Sequence, residues 1–406
     1  SGGPFLNYPE KKFDKIKIKL QQIQIHNKGL VMRCRAAVLN TMGAPRPYKK
    51  SKPITIEEIE LDEPGDGEVL IKMGAAGLCH SDLSVVNGSR PRPLPMVIGH
   101  EASAIVEKLG PNANDLKVGD HVAAVFVPSC GSCIPCLEGR PALCEPGAVA
   151  NANGTLLSGA KRIKLNNKYV THHVGVSCFS EYAVVSQKSL VKIPSDIPLD
   201  LAALFGCAVI TGVGAVVNTA KMPMGSTAAV IGLGGTGLAA LLGAKASGAK
   251  TIIGIDLSDQ KLKLGKELGC DYVLNANNPE IIPELKEITN GGCDYSFECV
   301  GSNKAMELAY AVTRRGGTTC SSGLSDPKDN FSVQHVNLVA EERTIKGSYL
   351  GSCVPRRDIP NYIQLQQNGN LPVNDLMSEH IKLDDVNEGF DKLASGETVR
   401  QLIMFD

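Results

Sequence analysis

Between residues 33 and 207 the chain alternates apolar and polar positions in short runs, at 36–39, 69–73, 104–108, 121–125 and 182–185, each broken by turn residues. A period of two over such lengths predicts half-buried strands, and hence a β-rich unit. From 209 to about 346 the pattern changes. Strand-length apolar runs at 228–231, 251–255, 272–274, 294–298 and 318–321 are separated by helix-length stretches. Strand and helix in alternation predict a parallel, doubly wound sheet. After Tyr349 the pattern is mixed, and 402–405 reads as a last strand that returns to the β-rich unit. The expected organisation is a β-rich domain over 32–208 and 350–406, with an α/β domain over 209–349 inserted in it.

The chain has 406 residues, long enough for two cores, since single cores seldom grow beyond ~250–300 residues. The first 31 residues differ from the rest: Lys11, Lys12, Lys15, Lys17 and Lys19 are interleaved with isoleucines, and Ser1-Gly2-Gly3-Pro4 has the look of a cloning or cleavage scar. The stretch has no arginine before Arg33 and carries Glu10 and Asp14, which argues against a transit peptide. We read 1–31 as an extension or tag and Met32 as the expected native start. Forty-two acidic residues balance forty-two basic ones, so no global field steers the protein toward nucleic acid or an anionic membrane. Small molecules in the cytoplasm are the expected partners. The most apolar window, 228–244, approaches the length of a membrane span. It is interrupted by Gly232, Gly234, Gly235 and Gly237, and reads instead as a buried strand turning into a helix.

That turn carries chemistry. Gly232-Leu233-Gly234-Gly235-Thr236-Gly237 follows an apolar strand and opens a helix. A pyrophosphate-binding turn sits in this place: glycines let the backbone come close, and the helix N-terminus offers free N–H groups and partial positive charge. Asp256 ends the next strand, roughly twenty residues on, where a carboxylate hydrogen-bonds ribose hydroxyls and repels a 2′-phosphate. Leu257 and Ser258 follow it, with no arginine to receive that phosphate, so NAD is the expected cofactor.

Cys130, Cys133, Cys136 and Cys144 place four thiols in one short loop. Two-residue gaps let thiolates close around one tetrahedral zinc at about 2.3 Å. The alternative is a pair of disulfides in a secreted protein. The total of thirteen cysteines, an odd number spread along the chain, points away from it.

Three further stretches, Cys79-His80-Ser81-Asp82, Gly99-His100-Glu101 and Gly206-Cys207, are scattered and individually unremarkable. Taken with the four-cysteine loop and the glycine turn, they make 32–406 resemble the zinc-dependent medium-chain alcohol dehydrogenases. The resemblance implies a GroES-like β-rich catalytic domain with a Rossmann-type sheet inserted in it, and two zinc ions per chain. It implies a catalytic zinc on Cys79, His100 and Cys207 with Glu101 beside it as an occasional ligand, and a structural zinc on the four-cysteine loop. It assigns His80, Thr211, Lys261 and Arg400 to the dinucleotide, Ser81 and Phe126 to the substrate side of the zinc, and a homodimer to the whole. A catalytic zinc with an open position acts as a Lewis acid on an alcohol or aldehyde oxygen, and Ser81 is the expected first proton carrier. The presence of Cys207 favours an alcohol dehydrogenase over the polyol branch, and all seven thiol and imidazole ligands argue against a crystallin-like, non-catalytic relative.

Two departures qualify the resemblance. Many relatives have a histidine at the end of the proton relay where this chain has Ser84, which has no basic pKa near neutrality. The glutathione-dependent formaldehyde branch has an arginine soon after the last structural thiol, where this chain has Glu145-Pro146-Gly147-Ala148. A simple alcohol or aldehyde is therefore the expected substrate, with S-(hydroxymethyl)glutathione as the alternative. Arg90 and Arg92, in the loop before Gly99, are candidates to recruit a carboxylate. His121, His172 and His173 are read as surface or core residues.

Overall fold

The computed structural model describes residues 32–406, so the expectations placed on 1–31 lie outside the described residues. The inserted sheet has six parallel strands: β1 (Thr227–Ile231), β2 (Thr251–Asp256), β3 (Tyr272–Asn275), β4 (Cys293–Glu298), β5 (Thr313–Ser321) and β6 (Thr344–Gly347). They lie in the order β3-β2-β1-β4-β5-β6, the doubly wound arrangement, whose ligand crevice opens at the carboxyl ends where the order reverses beside β1. All five residues of β1 are buried, as a central strand covered on both faces requires. The apolar window resolves into β1 followed by the helix Gly235–Ala246, as its glycines predicted. Among the described residues no single helix is long and apolar enough to cross a membrane.

The β-rich part holds two further sheets. One runs in the order Lys168–Tyr169, Ile163–Leu165, Ile54–Leu61, Met32–Leu39, Met96–Val97, Thr171–His172. The other is centred on Glu68–Gly77, which pairs antiparallel with Glu101–Leu109, Tyr182–Ser186 and the last strand, Gln401–Met404. The closing strand therefore does return to the β-rich part, with Leu402 opposite Gly77 and Met404 opposite Ala75. That register sets Arg400 beside Leu78, one residue from Cys79.

A single apolar core joins the two parts. It includes Val125 and Phe205 on one side, Val230 and Leu241 on the other, and Ile359 of the helix Pro355–Gln367 between them. Phe205, Val230, Leu241 and Ile359 expose essentially no surface, and full burial of such a side chain contributes about 1.5–3 kcal/mol. The helix Ala208–Gly214 crosses Gly235–Ala246 at small residues: a Cβ on Gly212 would meet the Ala240 nitrogen, and one on Gly243 would meet Val213. This close crossing draws the Cys207 end of one helix to the glycine turn that opens the other.

Candidate active site

Each residue of the first cluster sits where an element begins. Cys79 precedes the helix His80–Val86, His100 precedes the strand Glu101–Leu109, and Cys207 precedes the helix Ala208–Gly214. The three are buried, with one potential ligand atom from each lying within 4.8 Å of the others. Asp82 orients two of them. Its Oδ2 accepts the Cys79 N–H at 3.1 Å, and its Oδ1 lies 2.8 Å from His100 Nδ1. With Nδ1 engaged there, His100 turns Nε2 toward the thiols, the arrangement of a metal-ligating imidazole held by a carboxylate. Burial alone would raise the Asp82 carboxyl, but the charge and hydrogen bond of His100 hold it below its ordinary value.

The donor set fits zinc. Two buried thiols and one imidazole are soft and borderline ligands, and three protein ligands leave one position open. The hydrogen bond from Cys207 pulls the Cys79 thiol well below its ordinary value, and the same contact, with burial, pushes Cys207 well above. The two thiols are thus in direct contact, in a site whose donors suit a cation. Glu101, expected to join the ligands on occasion, is not within the cluster. Its Oε2 accepts the Ala208 N–H at 3.2 Å, while Oε1 has no hydrogen-bond partner and lies 3.8 Å from Arg400 Nε. The strand it opens aims its carboxylate behind the cluster, toward the guanidinium, and burial raises its carboxyl to about 7.

The second cluster gathers Cys130, Cys133, Cys136 and Cys144, also within 4.8 Å of one another. Backbone N–H groups point at the sulfurs. Ser132 and Cys133 donate to Cys130 Sγ at 3.4 Å each, and Cys130 and Gly147 donate to Cys144 Sγ at 3.2 and 3.4 Å. Burial alone would raise Cys130, but the donors from Ser132 and Cys133 bring it down to about 6. Burial, then the crowding of neighbouring thiols, pushes Cys136 up to about 12. Donors converging on sulfur in a loop of four thiols are what a closed structural zinc site needs.

The nucleotide turn has the shape its glycines suggest. Gly232 is in a positive-φ conformation (+90°), and a Cβ on Gly237 would collide with the Gly232 carbonyl, so helix and strand meet with no room for a side chain. The space around Gly234 is open. Asp256 Oδ2 accepts the Leu233 N–H at 2.7 Å and its Oδ1 the Ser258 N–H at 2.9 Å. It therefore caps the strand end, and each carboxylate oxygen keeps a further lone pair for a ribose hydroxyl. Lys261 lies in the first turn of the helix Asp259–Leu268, beyond Asp256. Thr211 stands one turn after Cys207, with its N–H on the Cys207 carbonyl at 3.0 Å. Arg400 lies against Gly235 and donates to the Leu78 carbonyl at 3.0 Å, spanning the metal cluster and the turn.

Ser81 is half-buried in the first turn after Cys79, and Ser84 Oγ donates to the His80 carbonyl at 2.8 Å. Phe126 meets His100 edge-on at 5.4 Å and Tyr349 at 5.8 Å, so it lines the cluster's outer side. Several participants escaped the sequence reading. His173 is a core histidine, yet it packs on His100 at 5.6 Å, accepts the Gly99 N–H at 3.1 Å, and lies 3.2 Å from Asp82 Oδ1. His172 is also in the core, accepting the Arg162 N–H at 3.1 Å. Leu257 and Val300 are large apolar residues left exposed just past β2 and β4, and Val300 lies against Gly232 of the glycine turn.

Two family models match the chain: the alcohol dehydrogenase GroES-like domain over 65–195 and the zinc-binding dehydrogenase domain over 235–368. The class-3 alcohol dehydrogenase of Drosophila melanogaster is 36% identical over 383 residues, 93% of this chain and 99% of that protein. The chain belongs to the zinc-dependent medium-chain alcohol dehydrogenase family. The S-(hydroxymethyl)glutathione dehydrogenase of Paracoccus denitrificans is similar at 34% identity, covering 92% of this chain and 100% of its own. Among solved structures, benzyl alcohol dehydrogenase from Acinetobacter calcoaceticus superposes with a TM-score of 0.86 at 31% identity, over 93% of this chain and 100% of its own. As a zinc-dependent medium-chain dehydrogenase, the chain has zinc and a nicotinamide dinucleotide as cofactors, and its thiol–imidazole clusters and glycine turn are the groups suited to hold them.

Proposed function

We propose that the protein is an NAD-dependent zinc alcohol dehydrogenase, exchanging a hydride between the carbinol carbon of a small alcohol, giving aldehyde or ketone, and NAD. The observation that carries this reading is Arg400, lying against Gly235 of the nucleotide turn and at 3.8 Å from Glu101 beside the buried Cys79–His100–Cys207 cluster. It ties a metal-binding donor set to a dinucleotide turn within one side chain's reach. Zinc on these ligands would supply a Lewis acid for the substrate oxygen, and the nicotinamide the hydride acceptor. The protein's own groups do the rest. Asp82 fixes the His100 tautomer, Phe126 keeps water from one side of the cluster, Ser81 receives the hydroxyl proton, and His80, Thr211, Lys261 and the glycine turn orient the dinucleotide. Asp256 favours NAD over NADP, since its charge faces the 2′ position.

The same reading has the enzyme act in the cytoplasm as a homodimer. Strand β6 is the outer edge of the parallel sheet, and Val336 and Val339 on the neighbouring helix His335–Ala340 are each 66% exposed. An unpaired edge beside bare valines supports pairing with a second copy. A second reading, S-(hydroxymethyl)glutathione oxidation, is favoured by the activity that names the Paracoccus relative.

The test is a panel of neutral alcohols and S-(hydroxymethyl)glutathione, each with NAD and with NADP, followed by the absorbance of the reduced cofactor. Oxidation of neutral alcohols with NAD supports the first reading. Turnover of the glutathione adduct alone transfers support to the second, and no reduced cofactor with any substrate on zinc-loaded protein overturns both.

A further inference from the structure

The helix Glu145–Asn153 joins the four-thiol lobe to the residues around His100. It begins on a thiol, since Cys144 Sγ accepts the Gly147 N–H at 3.4 Å. Cys144, Gly147, Ala150, Asn151 and Gly154 are buried and the positions between them are exposed. That spacing of three and four gives the helix one inward stripe. The stripe is made of small residues apart from Asn151, which is 8% exposed.

At both ends the stripe grips a segment that leads to the metal cluster. A Cβ on Gly147 would stand 2.5 Å from the Pro128 carbonyl oxygen, so the helix start and Pro128 meet as closely as only a glycine allows. At the other end Asn151 Nδ2 donates to the Phe126 carbonyl at 2.7 Å, and the Gly154 carbonyl accepts the His172 N–H at 2.9 Å. The Asn151 Oδ1 faces Gly175, where a Cβ would meet it at 3.5 Å, and has no hydrogen-bond partner among the described residues. Asn151 thus lies between the two segments whose rings pack on His100, Phe126 at 5.4 Å and His173 at 5.6 Å.

A buried amide with one end unpaired is less favourable than an apolar side chain of the same shape. Packing alone therefore does not account for an asparagine in this stripe. Its single hydrogen bond does, because it fixes the main chain of Phe126 and with it the place of the ring beside His100. We propose that Asn151 is a positioning residue for Phe126, and that through its helix the four-thiol lobe sets this wall of the substrate site. This rests on the dehydrogenase reading above and specifies how its substrate site is held. Alcohols large enough to lie on the Phe126 ring depend on the contact, and the smallest do not.

The experiment measures kcat/KM for benzyl alcohol divided by that for ethanol, in the zinc-loaded enzyme with NAD. Asn151→Leu keeps the volume and removes the donor, and the ratio should fall about three- to tenfold, the range of one hydrogen bond. Gly147→Ala adds the colliding Cβ, leaves every thiol in place, and should lower the ratio in the same direction. Metal analysis should find two zinc ions per chain in both variants. In Phe126→Leu the ratio should already be low, and adding Asn151→Leu should lower it no further, because residues that act through one contact are not additive. Since each ratio is taken within one protein, a general loss of activity divides out. An unchanged ratio in Asn151→Leu, an equal fall with and without Phe126, or loss of zinc from Asn151→Leu overturns the positioning role. An unchanged ratio in Gly147→Ala overturns the part given to the lobe. All of these leave the dehydrogenase reading standing, whereas turnover of neither alcohol overturns the neutral-alcohol reading and the positioning role with it.

Discussion

Asp82→Asn isolates the group on which the metal cluster depends. The carboxylate is wholly buried, accepts the Cys79 N–H through Oδ2, and holds His100 Nδ1 at 2.8 Å through Oδ1. Asparagine matches its shape but has one accepting end. If the amide oxygen keeps the Cys79 N–H, the NH₂ faces His100 Nδ1, whose proton must then move to Nε2, the nitrogen turned toward the thiols. If the amide flips, the oxygen serves His100 and the buried Cys79 N–H loses its acceptor, at a cost of about 1–3 kcal/mol. In either case a charge-assisted hydrogen bond of about 1.5–3 kcal/mol becomes a neutral one of about 0.5–1.5. The net loss is about 1–2 kcal/mol, which matches the 10–100-fold fall in metal affinity typical of such partners. Metal analysis after equilibration with graded chelator provides the assay. Wild-type protein should retain two zinc ions per chain at chelator concentrations where the variant retains one, and dehydrogenase activity should disappear with the lost ion. Near-native circular dichroism would confirm that the fold persists. A variant as chelator-resistant and as active as the wild type would refute the role given to Asp82.

Three further outcomes are expected. Cys144→Ser should lower the zinc content from two to one and reduce thermal stability, because three thiolates cannot close the tetrahedron; an unchanged metal content would show that the loop binds no zinc. Asp256→Gly should raise kcat/KM with NADP relative to NAD by about tenfold or more, and equal use of both cofactors by the unmodified enzyme would remove Asp256 as the discriminating group. Burial depresses the His172 pKa to about 3, so below the ordinary value of 6.5 the unfolded chain binds a proton that the folded one refuses, and stability falls as pH drops from 6.5 toward 3. Denaturant unfolding at pH 7 and pH 5 should show the wild type losing about 2 kcal/mol more than His172→Gln, and parallel losses would show that His172 is not the linked group.

The parts that were legible in the sequence are those in which the chemistry is local. A strand period, a glycine turn between strand and helix, and four thiols in one loop each announce themselves within a few residues, because backbone geometry alone brings those groups together. Cys79, His100 and Cys207 are not local, and only the resemblance assembled them; the residues themselves gave three unremarkable turns. What neither route supplied is what the fold alone juxtaposes. Asp82 was visible in its motif but had no partner until the strand Glu101–Leu109 paired with Glu68–Gly77 and set His100 above it. His173, read as a packing residue, is one, and it also touches the carboxylate that holds the ligand. Glu101 was assigned beside the metal ligands and is buried next to them, with its unbonded oxygen toward Arg400, a guanidinium that the register of the last strand brings in and that nothing near residue 101 foretells.

The same division explains why the substrate was the least legible feature. Metal and dinucleotide are held by groups at element starts, whose positions the backbone dictates. The surroundings of the metal cluster on the Phe126 side are drawn from Phe126, Tyr349 and the loop of Arg90 and Arg92, three segments far apart in the chain. Substitutions in such loops leave strands, turns and zinc ligands untouched, so a family can keep its chemistry while its substrates change. Identity to relatives therefore carries the reaction class to this chain more securely than it carries a substrate.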